Sequence, residues 1–189
     1  MKITTGKLKN KILFTPKGMD VRPTQNLVRK AVFDILGQDF TGVSFLELFS
    51  GSGAVGLEAF SRGAREVTLV DHDPLCIKTM EKNLESISYS VPDFDRESIQ
   101  ILGTDVFIAL SQLAEDKRKF DVVFIDPPYH EDLAKKALKQ LNGYDILHPD
   151  SIIVVEHHKR EILPEKEGRF FAIKRKWYGS TVLTVYKEA

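Results

Sequence analysis

The sequence predicts an α/β fold in which helices cover a mostly parallel β-sheet. After residue 40, short apolar runs alternate with amphipathic stretches, and this alternation is typical of β-α-β units. Near the end of the chain, β-rich runs at 170–176 and 181–186 flank Tyr178-Gly179-Ser180, which predicts an antiparallel hairpin at one sheet edge. The 189 residues are enough for one domain with a substantial core.

The spacing of apolar residues places the individual elements of this core. Strands are predicted near 43–48, 66–71, 98–102, 120–125 and 151–156. Helices with apolar residues three and four apart are predicted near 53–62, 74–87, 105–114 and 131–142. The polar stretch 88–97, which contains Pro92, predicts a surface loop.

The first thirty residues differ from the rest of the chain in charge. They contain eight Lys and Arg residues against Asp20 alone, although the whole chain has a formal net charge of zero. A basic arm produces a local positive field suited to phosphates, and a merely solubilising terminus is the alternative. We therefore divide the chain into a basic N-terminal β-hairpin arm at 1–23 and a second unit at 24–189. The two arms of the predicted hairpin are 2–4 and 11–14, on either side of Gly6.

An amphipathic helix is predicted to follow this arm. Thr24 is placed to cap its start, and Gly37 is placed to end it. Between them a single apolar stripe is formed by Leu27, Val28, Ala31, Val32, Ile35 and Leu36.

The composition argues against several classes of protein. The single cysteine, Cys76, excludes a disulfide framework within the chain and a zinc site made of several thiolates. No apolar run approaches the roughly 20 residues needed to cross a bilayer, so we expect a cytoplasmic protein without a membrane partner. Neighbouring side chains in Glu156-His157-His158 point to opposite faces of a strand, and we expect no metal site there.

A glycine-rich loop follows the first predicted strand and leads into a helix, which is the context that a nucleotide-binding loop requires. Its residues are Ser50-Gly51-Ser52-Gly53-Ala54-Val55-Gly56. Glycines allow a tight turn and let a ligand approach the main chain closely. Twenty residues after Gly51, Asp71 ends the next apolar strand, where a carboxylate can accept both hydroxyls of a ribose.

The same glycines and acid also occur in dinucleotide-dependent oxidoreductases, so the loop alone leaves two classes open. The position of Glu47, just ahead of the glycines, favours one of them. A carboxylate there repels a pyrophosphate but can hold the amino group of a methionine moiety, directly or through water. The sequence therefore predicts that the loop binds S-adenosylmethionine (SAM).

Further cofactor contacts are expected on both sides of these residues. In the loop we predict contacts from Phe49, Ser50, Gly51, Ser52 and Gly53, and beyond the second strand from Asp71 and His72. After the third strand, Asp105 is a candidate acceptor for the adenine amino group, with Val106 beside it, and Asp126 after the fourth strand is also expected to contact the cofactor. A helix N-cap is the alternative role for Asp105.

The tetrad Asp126-Pro127-Pro128-Tyr129 follows the predicted strand 120–125, at the sheet edge where open α/β sheets bind ligands. Two consecutive prolines fix the backbone and remove two donors, which leaves a stiff row of acceptors. An exocyclic amino group of a base is a poor nucleophile because its lone pair is delocalised. Hydrogen bonds to the Asp126 carboxylate and the Pro127 carbonyl would make it more pyramidal and reactive, so the tetrad predicts methylation of a planar amine.

The predicted role of Tyr129 is to stack on the target base, which must then be unpaired or flipped out of a duplex. Carbon methylation of a pyrimidine is disfavoured, because it usually needs a cysteine nucleophile and Cys76 follows the second strand in a predicted helix.

These motifs together resemble the RsmD-type family of bacterial small-subunit ribosomal RNA guanine-N2 methyltransferases. The resemblance covers nearly the whole chain. It rests on Val21-Arg22-Pro23-Thr24, Glu47-Leu48-Phe49-Ser50-Gly51-Ser52-Gly53, Gly56-Leu57-Glu58-Ala59, Ser61-Arg62-Gly63-Ala64, Asp126-Pro127-Pro128-Tyr129 and Tyr178-Gly179-Ser180-Thr181. Members more often have a glutamate at the position of Asp71, and Gly and Arg around 9–11.

The resemblance implies a seven-stranded, Rossmann-like SAM-dependent methyltransferase sheet and N2 methylation of a guanine in 16S ribosomal RNA. The implied partner is that RNA or an assembly intermediate of the small subunit, and we expect a monomer. The implied RNA contacts come from the basic arm and the Arg-Pro-Thr segment, through Lys7, Lys9, Lys11, Arg22 and Thr24. The alternatives are a DNA adenine-N6 methyltransferase and an RNA-binding module that binds SAM without catalysis.

Overall fold

A computed structural model describes residues 1–16, 23–92, 94–128 and 132–188, with side chains in the first helix described from residue 26 onward. The helices of this part of the chain are α1 Pro23–Leu36, α2 Ala54–Ser61, α3 Pro74–Ser90, α4 Val106–Glu115 and α5 Leu133–Gly143. The strands are β1 Ser44–Leu48, β2 Glu66–Val70, β3 Ile99–Leu102, β4 Phe120–Ile125, β5 Leu147–His158, β6 Lys166–Glu167, β7 Phe170–Tyr178 and β8 Thr181–Glu188.

The strands of the described residues form one sheet in the order β3-β2-β1-β4-β5-β8-β7-β6. The first five pair in parallel, and β8 joins β5 in the antiparallel direction. The predicted α/β class and C-terminal hairpin are therefore confirmed. The sheet has eight strands where seven were expected, because β6 pairs with β7 over only two residues, too few to produce an alternating pattern in the sequence.

Helices cover both faces of the sheet, and the core accordingly has two halves. On one face α1, α2 and α3 pack against Phe45, Val67 and Phe124. On the other, α4 and α5 pack against Leu46 and Val123. All five residues of β1 are buried, as expected for a parallel strand covered on both sides.

Several predicted boundaries were wrong at the ends of the elements. Helix α1 already begins at Pro23, because proline suits the first helical position, so Thr24 lies inside the helix and does not cap it. The polar loop is shorter than predicted, since α3 continues to Ser90. The predicted N-terminal hairpin is present but short: its arms pair in the antiparallel direction through a bridge between Lys2 and Ile12, with hydrogen bonds from the Ile3 amide to the Lys11 carbonyl at 2.9 Å and from the Leu13 amide to the Met1 carbonyl at 2.7 Å.

The N-terminal segment is held by the end of α2. The Glu58 carboxylate, which is fully buried, accepts hydrogen bonds from the Thr4 amide at 2.9 Å and the Thr5 amide at 3.1 Å. The Leu8 amide donates to Ser61 Oγ at 2.9 Å. A β-carbon at Gly6 would lie 1.7 Å from the Ser61 carbonyl oxygen, so only glycine allows this approach. The segment thus packs on the core, and its division at residue 23 from the rest of the chain stays a prediction.

Arg62 neutralises the buried Glu58 carboxylate. Its guanidinium donates to Glu58 Oε1 at 2.8 Å and to Thr4 Oγ1 at 3.2 Å, and lies 4.2 Å from the centre of the Phe33 ring. A buried charge is tolerated only when it is paired and hydrogen-bonded. This ion pair therefore joins α1, α2 and the N-terminal segment.

Replacement of Arg62 by leucine should destabilise the protein strongly, because it leaves the Glu58 carboxylate buried without its cation. We expect a loss of about 3–5 kcal/mol in the free energy of unfolding, measured by urea denaturation. The matched control is Arg65→Leu, which removes an exposed partner of Glu66 and should cost about 0–1 kcal/mol. Equal losses in the two variants would contradict this assignment.

Candidate functional site

The described residues that were predicted to bind the cofactor or the target amine lie at the carboxyl edge of the parallel strands. Leu48, the last residue of β1, is paired with Val70 at the end of β2 and with Ile125 at the end of β4. Residues that follow these three strands must therefore lie side by side. The structure brings the glycine loop, Asp71 and Asp126 together in this way.

The glycine loop is fixed by backbone geometry and by one buried hydroxyl. Phe49, Gly51 and Gly53 have φ values of 61°, 55° and 72°, which turn the chain sharply from β1 into α2. Ser50 Oγ donates to the Glu47 carbonyl at 2.8 Å and accepts from the Val70 amide at 2.9 Å. A β-carbon at Gly51 would meet nothing within 4 Å, so this turn is open on its outer side.

Asp71 connects this loop to the end of β2. Its Oδ2 accepts a hydrogen bond from the Gly51 amide at 2.8 Å, and its Oδ1 accepts from the Asp73 amide at 2.9 Å. The side chain is largely buried. Each carboxylate oxygen keeps further acceptor capacity, so a ligand diol beside Gly51 can still be bound.

The Glu47 carboxylate, only 3% exposed, lies beneath the start of α2. Its Oε2 accepts from the Gly56 amide at 2.8 Å. Burial raises the pKa of Glu47 to about 8, and the negative charges of Asp126 and Asp71 act in the same direction, against the hydrogen bond from Gly56. A β-carbon at Gly56 would lie 2.5 Å from Leu69 and 2.9 Å from the Glu47 carboxylate, so glycine is required for this packing.

Asp126 is the ionisable residue in the part of the tetrad that the structure describes. Its amide donates to the Leu48 carbonyl at 3.3 Å, which extends the pairing of β4 with β1 by one residue. Desolvation raises the pKa of its carboxyl group to about 7. Pro127 is buried beside it, whereas Pro128 is exposed. Tyr129 lies outside the described residues.

The remaining predicted cofactor residues differ in their surroundings. Asp105 caps α4, since its carboxylate accepts from the Phe107 amide at 2.8 Å and the Ile108 amide at 3.4 Å. The capping alternative is thus confirmed, and a contact with adenine stays a prediction. Val106, the first residue of α4, is buried, and His72, which follows β2, is exposed.

Asn83 on α3 is a polar residue of this region that was not predicted from the sequence. Its Nδ2 donates to the Ser52 carbonyl at 3.0 Å and the Phe14 carbonyl at 3.1 Å, and its Oδ1 accepts from the Phe14 amide at 2.7 Å. The side chain is buried, and it joins the glycine loop to the N-terminal segment. The available signal was an asparagine within the apolar stripe of α3, beside Met80, Leu84 and Ile87.

The predicted RNA-contacting lysines lie away from the carboxyl edge. The Lys7 amide donates to the carbonyl of Ser61, where α2 ends and the chain returns to the start of β2. Its ammonium lies 3.6 Å from the centre of the Phe60 ring, and desolvation lowers its pKa. Lys11 Nζ donates to the Ser86 carbonyl at 2.6 Å near the end of α3. Lys9 is exposed on the same segment.

These lysines are therefore placed near the edge at which β2 and β3 begin, opposite to Asp126. Of the other two predicted contacts, Arg22 lies outside the described residues, and only the backbone of Thr24 is described. RNA contacts by these five residues stay predictions.

The sheet order and the glycine loop define a Rossmann-like fold of the SAM-dependent methyltransferase class. The family described as conserved hypothetical protein 95 matches residues 1–187, and the chain belongs to this family, which is the RsmD-type family indicated by the sequence motifs.

Individual relatives cover the whole chain. YlbH of Bacillus subtilis is 33% identical over 188 residues, 100% of this chain and 99% of that protein. Ribosomal RNA small subunit methyltransferase D of Escherichia coli is 27% identical over 187 residues, 99% of this chain and 89% of that protein. The solved structure of the yhhF methyltransferase protein of Escherichia coli superposes with a TM-score of 0.82 at 25% identity, covering 100% of this chain and 97% of that chain.

The described residues contain neither a membrane-spanning helix nor a cluster of metal ligands. None of their helices combines the length and the apolar character needed to span a bilayer. No group of three or more His, Cys, Asp and Glu side chains in that part of the chain is arranged to hold a metal ion.

Replacement of Glu47 by glutamine should change how stability depends on pH. In the unfolded chain Glu47 releases its proton near its ordinary pKa of 4.5, whereas the folded protein keeps it up to about pH 8. The unfolded state therefore binds fewer protons in this window, and the contribution of Glu47 to stability falls as the pH rises from about 4.5 to 8. Glutamine retains an acceptor for the Gly56 amide and does not ionise.

We expect the melting temperature of Glu47→Gln, relative to that of the unaltered protein, to be higher at pH 8.5 than at pH 5 by at least about 2–4 °C, which corresponds to about 1 kcal/mol in a chain of this size and to less than one pH unit of this window. Thermal unfolding of the ligand-free protein measures this difference. The control is Glu97→Gln, which removes an exposed carboxylate. A Glu47→Gln effect that is the same at both pH values would refute the buried, protonated state of Glu47.

Proposed function

We propose that this protein transfers a methyl group from SAM to the exocyclic N2 amino group of a guanine in small-subunit ribosomal RNA. The observation that carries the proposal is the pair of carboxyl groups with raised pKa values, Glu47 buried near the end of β1 and Asp126 half-buried just after the adjacent strand β4, beside an open glycine turn. In this proposal Glu47 faces the cofactor, and Asp126 begins the row of acceptors formed by the tetrad.

The residues at the carboxyl edge suit SAM in charge and in shape. The negative charges of Asp126 and Asp71 raise the pKa of Glu47, and a cationic amino group bound at Glu47 would relieve this repulsion. In this proposal Glu47 holds the amino group of the methionine part, and Asp71 accepts the ribose hydroxyls. The open side of Gly51 admits the ligand to the backbone. SAM would supply a methyl group made electrophilic by its positive sulfur.

The proposed role of Asp126 is to position and activate the target amine. Its carboxylate and the Pro127 carbonyl accept hydrogen bonds from the two hydrogens of the amino group. When the nitrogen bonds to the methyl carbon and the carbon–sulfur bond breaks, the nitrogen must lose one proton. A carboxyl group whose pKa is about 7 is well matched to accept that proton near neutral pH. Stacking of the base on Tyr129 belongs to the same proposal.

The substrate is inferred from the family and from chemistry together. The relative in Escherichia coli carries the name of a small-subunit ribosomal RNA methyltransferase and aligns with 99% of this chain. A guanine N2 amino group is a planar amine of the kind that the acceptor row suits. Such a substrate also implies a cytoplasmic enzyme. A monomeric state and the absence of a metal requirement remain part of the proposal.

Incubation of the protein with labelled SAM and one nucleic acid at a time tests the proposal. The substrates are small-subunit RNA, assembled small subunits and duplex DNA, and each product is digested to nucleosides. Labelled N2-methylguanosine from RNA or subunits is expected. Labelled N6-methyladenine from DNA would favour the DNA methyltransferase, and SAM binding without transfer to any substrate would favour the non-catalytic RNA-binding module.

Replacement of Asp126 by alanine should abolish turnover while SAM binding is retained, because the proposed action of the carboxylate is on the target amine. We expect a loss of at least about 100-fold in kcat, the lower end of what a positioned acid or base contributes, with the SAM dissociation constant changed less than about threefold. Single-turnover methylation and calorimetric titration with SAM measure the two quantities. Asp116→Asn, at the exposed end of α4, is the control. Lost SAM binding in Asp126→Ala would contradict the assigned role.

A further inference from the structure

The tip of the C-terminal hairpin lies at the same sheet edge as Asp126. The side chains concerned are Trp177 and Lys176 at the end of β7, and Lys159 and Arg160 just after β5; we refer to these four residues as the hairpin surface. The Lys159 amide donates to the Ser180 carbonyl at 2.8 Å, which joins the end of β5 to the turn between β7 and β8.

The strand register fixes the position of this surface relative to the tetrad. Ile125 on β4 pairs with Val155 on β5, Val155 pairs with Thr184 on β8, and Thr184 pairs with Arg175 on β7. Asp126 lies one residue beyond this row, and Trp177 lies two residues beyond it. Because three gaps of about 4.8 Å separate β4 from β7, the two residues are about 14 Å apart along the edge.

The hairpin surface combines a large exposed ring with positive charge. Trp177 is 65% exposed, and Lys176, Lys159 and Arg160 are exposed as well. Glu156, the acid near the end of β5, is buried. Trp177 and Lys176 point to opposite faces of the hairpin, so a chain that passes over its tip would meet the ring on one side and a cation on the other.

The described lysines of the basic arm lie far from the tetrad, which leaves a role for a second contact surface. Lys7 and Lys11 are held at the ends of α2 and α3, at the edge opposite to Asp126. These two lysines are therefore poorly placed to hold the nucleotides next to a base that is bound at the tetrad. The hairpin surface lies at the same sheet edge as the tetrad. Its distance from Asp126, about 14 Å, is one that a few nucleotides can span.

We propose that the hairpin surface binds an unpaired segment of the RNA substrate next to the target nucleotide. A base stacks on the exposed Trp177 ring, and the neighbouring phosphates lie against Lys159, Arg160 and Lys176. An aromatic platform flanked by basic residues is the arrangement by which proteins hold single strands without reading their sequence. This inference rests on the proposed function, because it needs RNA as the substrate.

Replacement of Trp177 by alanine tests the surface in the full-length protein. With small-subunit RNA or subunits as substrate, we expect the KM for RNA to rise about tenfold, equivalent to about 1.4 kcal/mol and within the range of base stacking. The kcat and the SAM dissociation constant should stay within about twofold, which also shows that the variant is folded. Trp177→Phe should restore most of the affinity, because it keeps a stacking ring.

Tyr89→Ala is the matched control, since Tyr89 is 85% exposed near the end of α3 and at the opposite edge. Its KM should equal that of the unaltered protein. A second measurement addresses the charges: Lys159→Ala combined with Lys176→Ala should reduce the salt slope of RNA binding by about 2, one for each phosphate contact removed.

Failure of this inference is distinguishable from failure of the proposed function. If the unaltered protein methylates no RNA, the proposed function fails. If it methylates RNA and Trp177→Ala has the same KM, or Tyr89→Ala loses as much, the hairpin surface is not the contact. A Trp177→Ala effect that accompanies the loss of a concentration-dependent dimer would instead assign this surface to a second copy of the chain, and would also overturn the inference.

Discussion

The hydrogen bond from the Gly56 amide to the Glu47 carboxylate fastens the start of α2 to the end of β1, and the arrangement of the site depends on it. It requires a glycine at position 56, because a side chain there would meet Leu69 and the carboxylate itself. It also requires a buried acid, whose pKa rises to about 8 in the ligand-free protein. The glycine turn is then held between this contact and the bond from Gly51 to Asp71, with its outer side open.

This arrangement places destabilising groups at the site and stabilising groups away from it. Buried carboxyl groups next to one another oppose folding at high pH, and they suit a cationic ligand and a reacting amine. Rigidity is supplied on the opposite side of α2, where the Glu58–Arg62 pair binds the N-terminal segment. Asn83 connects these two regions, because it bonds both to Phe14 of that segment and to Ser52 of the glycine loop. The first residues of the chain thus support the cofactor loop whether or not they contact RNA.

Much of the fold could be predicted from the sequence, because apolar runs of the parallel strands and the stripes of α3 and α5 follow regular periods. The features that could not be predicted depend on other forces. The N-terminal arms pair as their β-propensity predicts, but the Thr4 and Thr5 amides bond to Glu58 across 54 and 53 residues. Strand β6 has only two residues, Lys166 and Glu167, which form a strand by pairing with Phe171 and Phe170 of β7. Neither contact leaves a local signal in the sequence.

The sequence by itself determined the chemistry of the candidate site: Glu47 within the first apolar strand, and the glycine loop, Asp71 and the tetrad that begins with Asp126, each directly after an apolar strand. Strand order converts these positions into neighbours, and parallel pairing makes that outcome predictable. Only the tertiary structure decided that the pKa values of Glu47 and Asp126 are raised, because desolvation depends on everything packed around a group. The tertiary structure also decided that Lys7 and Lys11 lie at one edge of the sheet and Trp177 at the other. The residue types in a sequence do not specify which edge of the sheet a segment reaches.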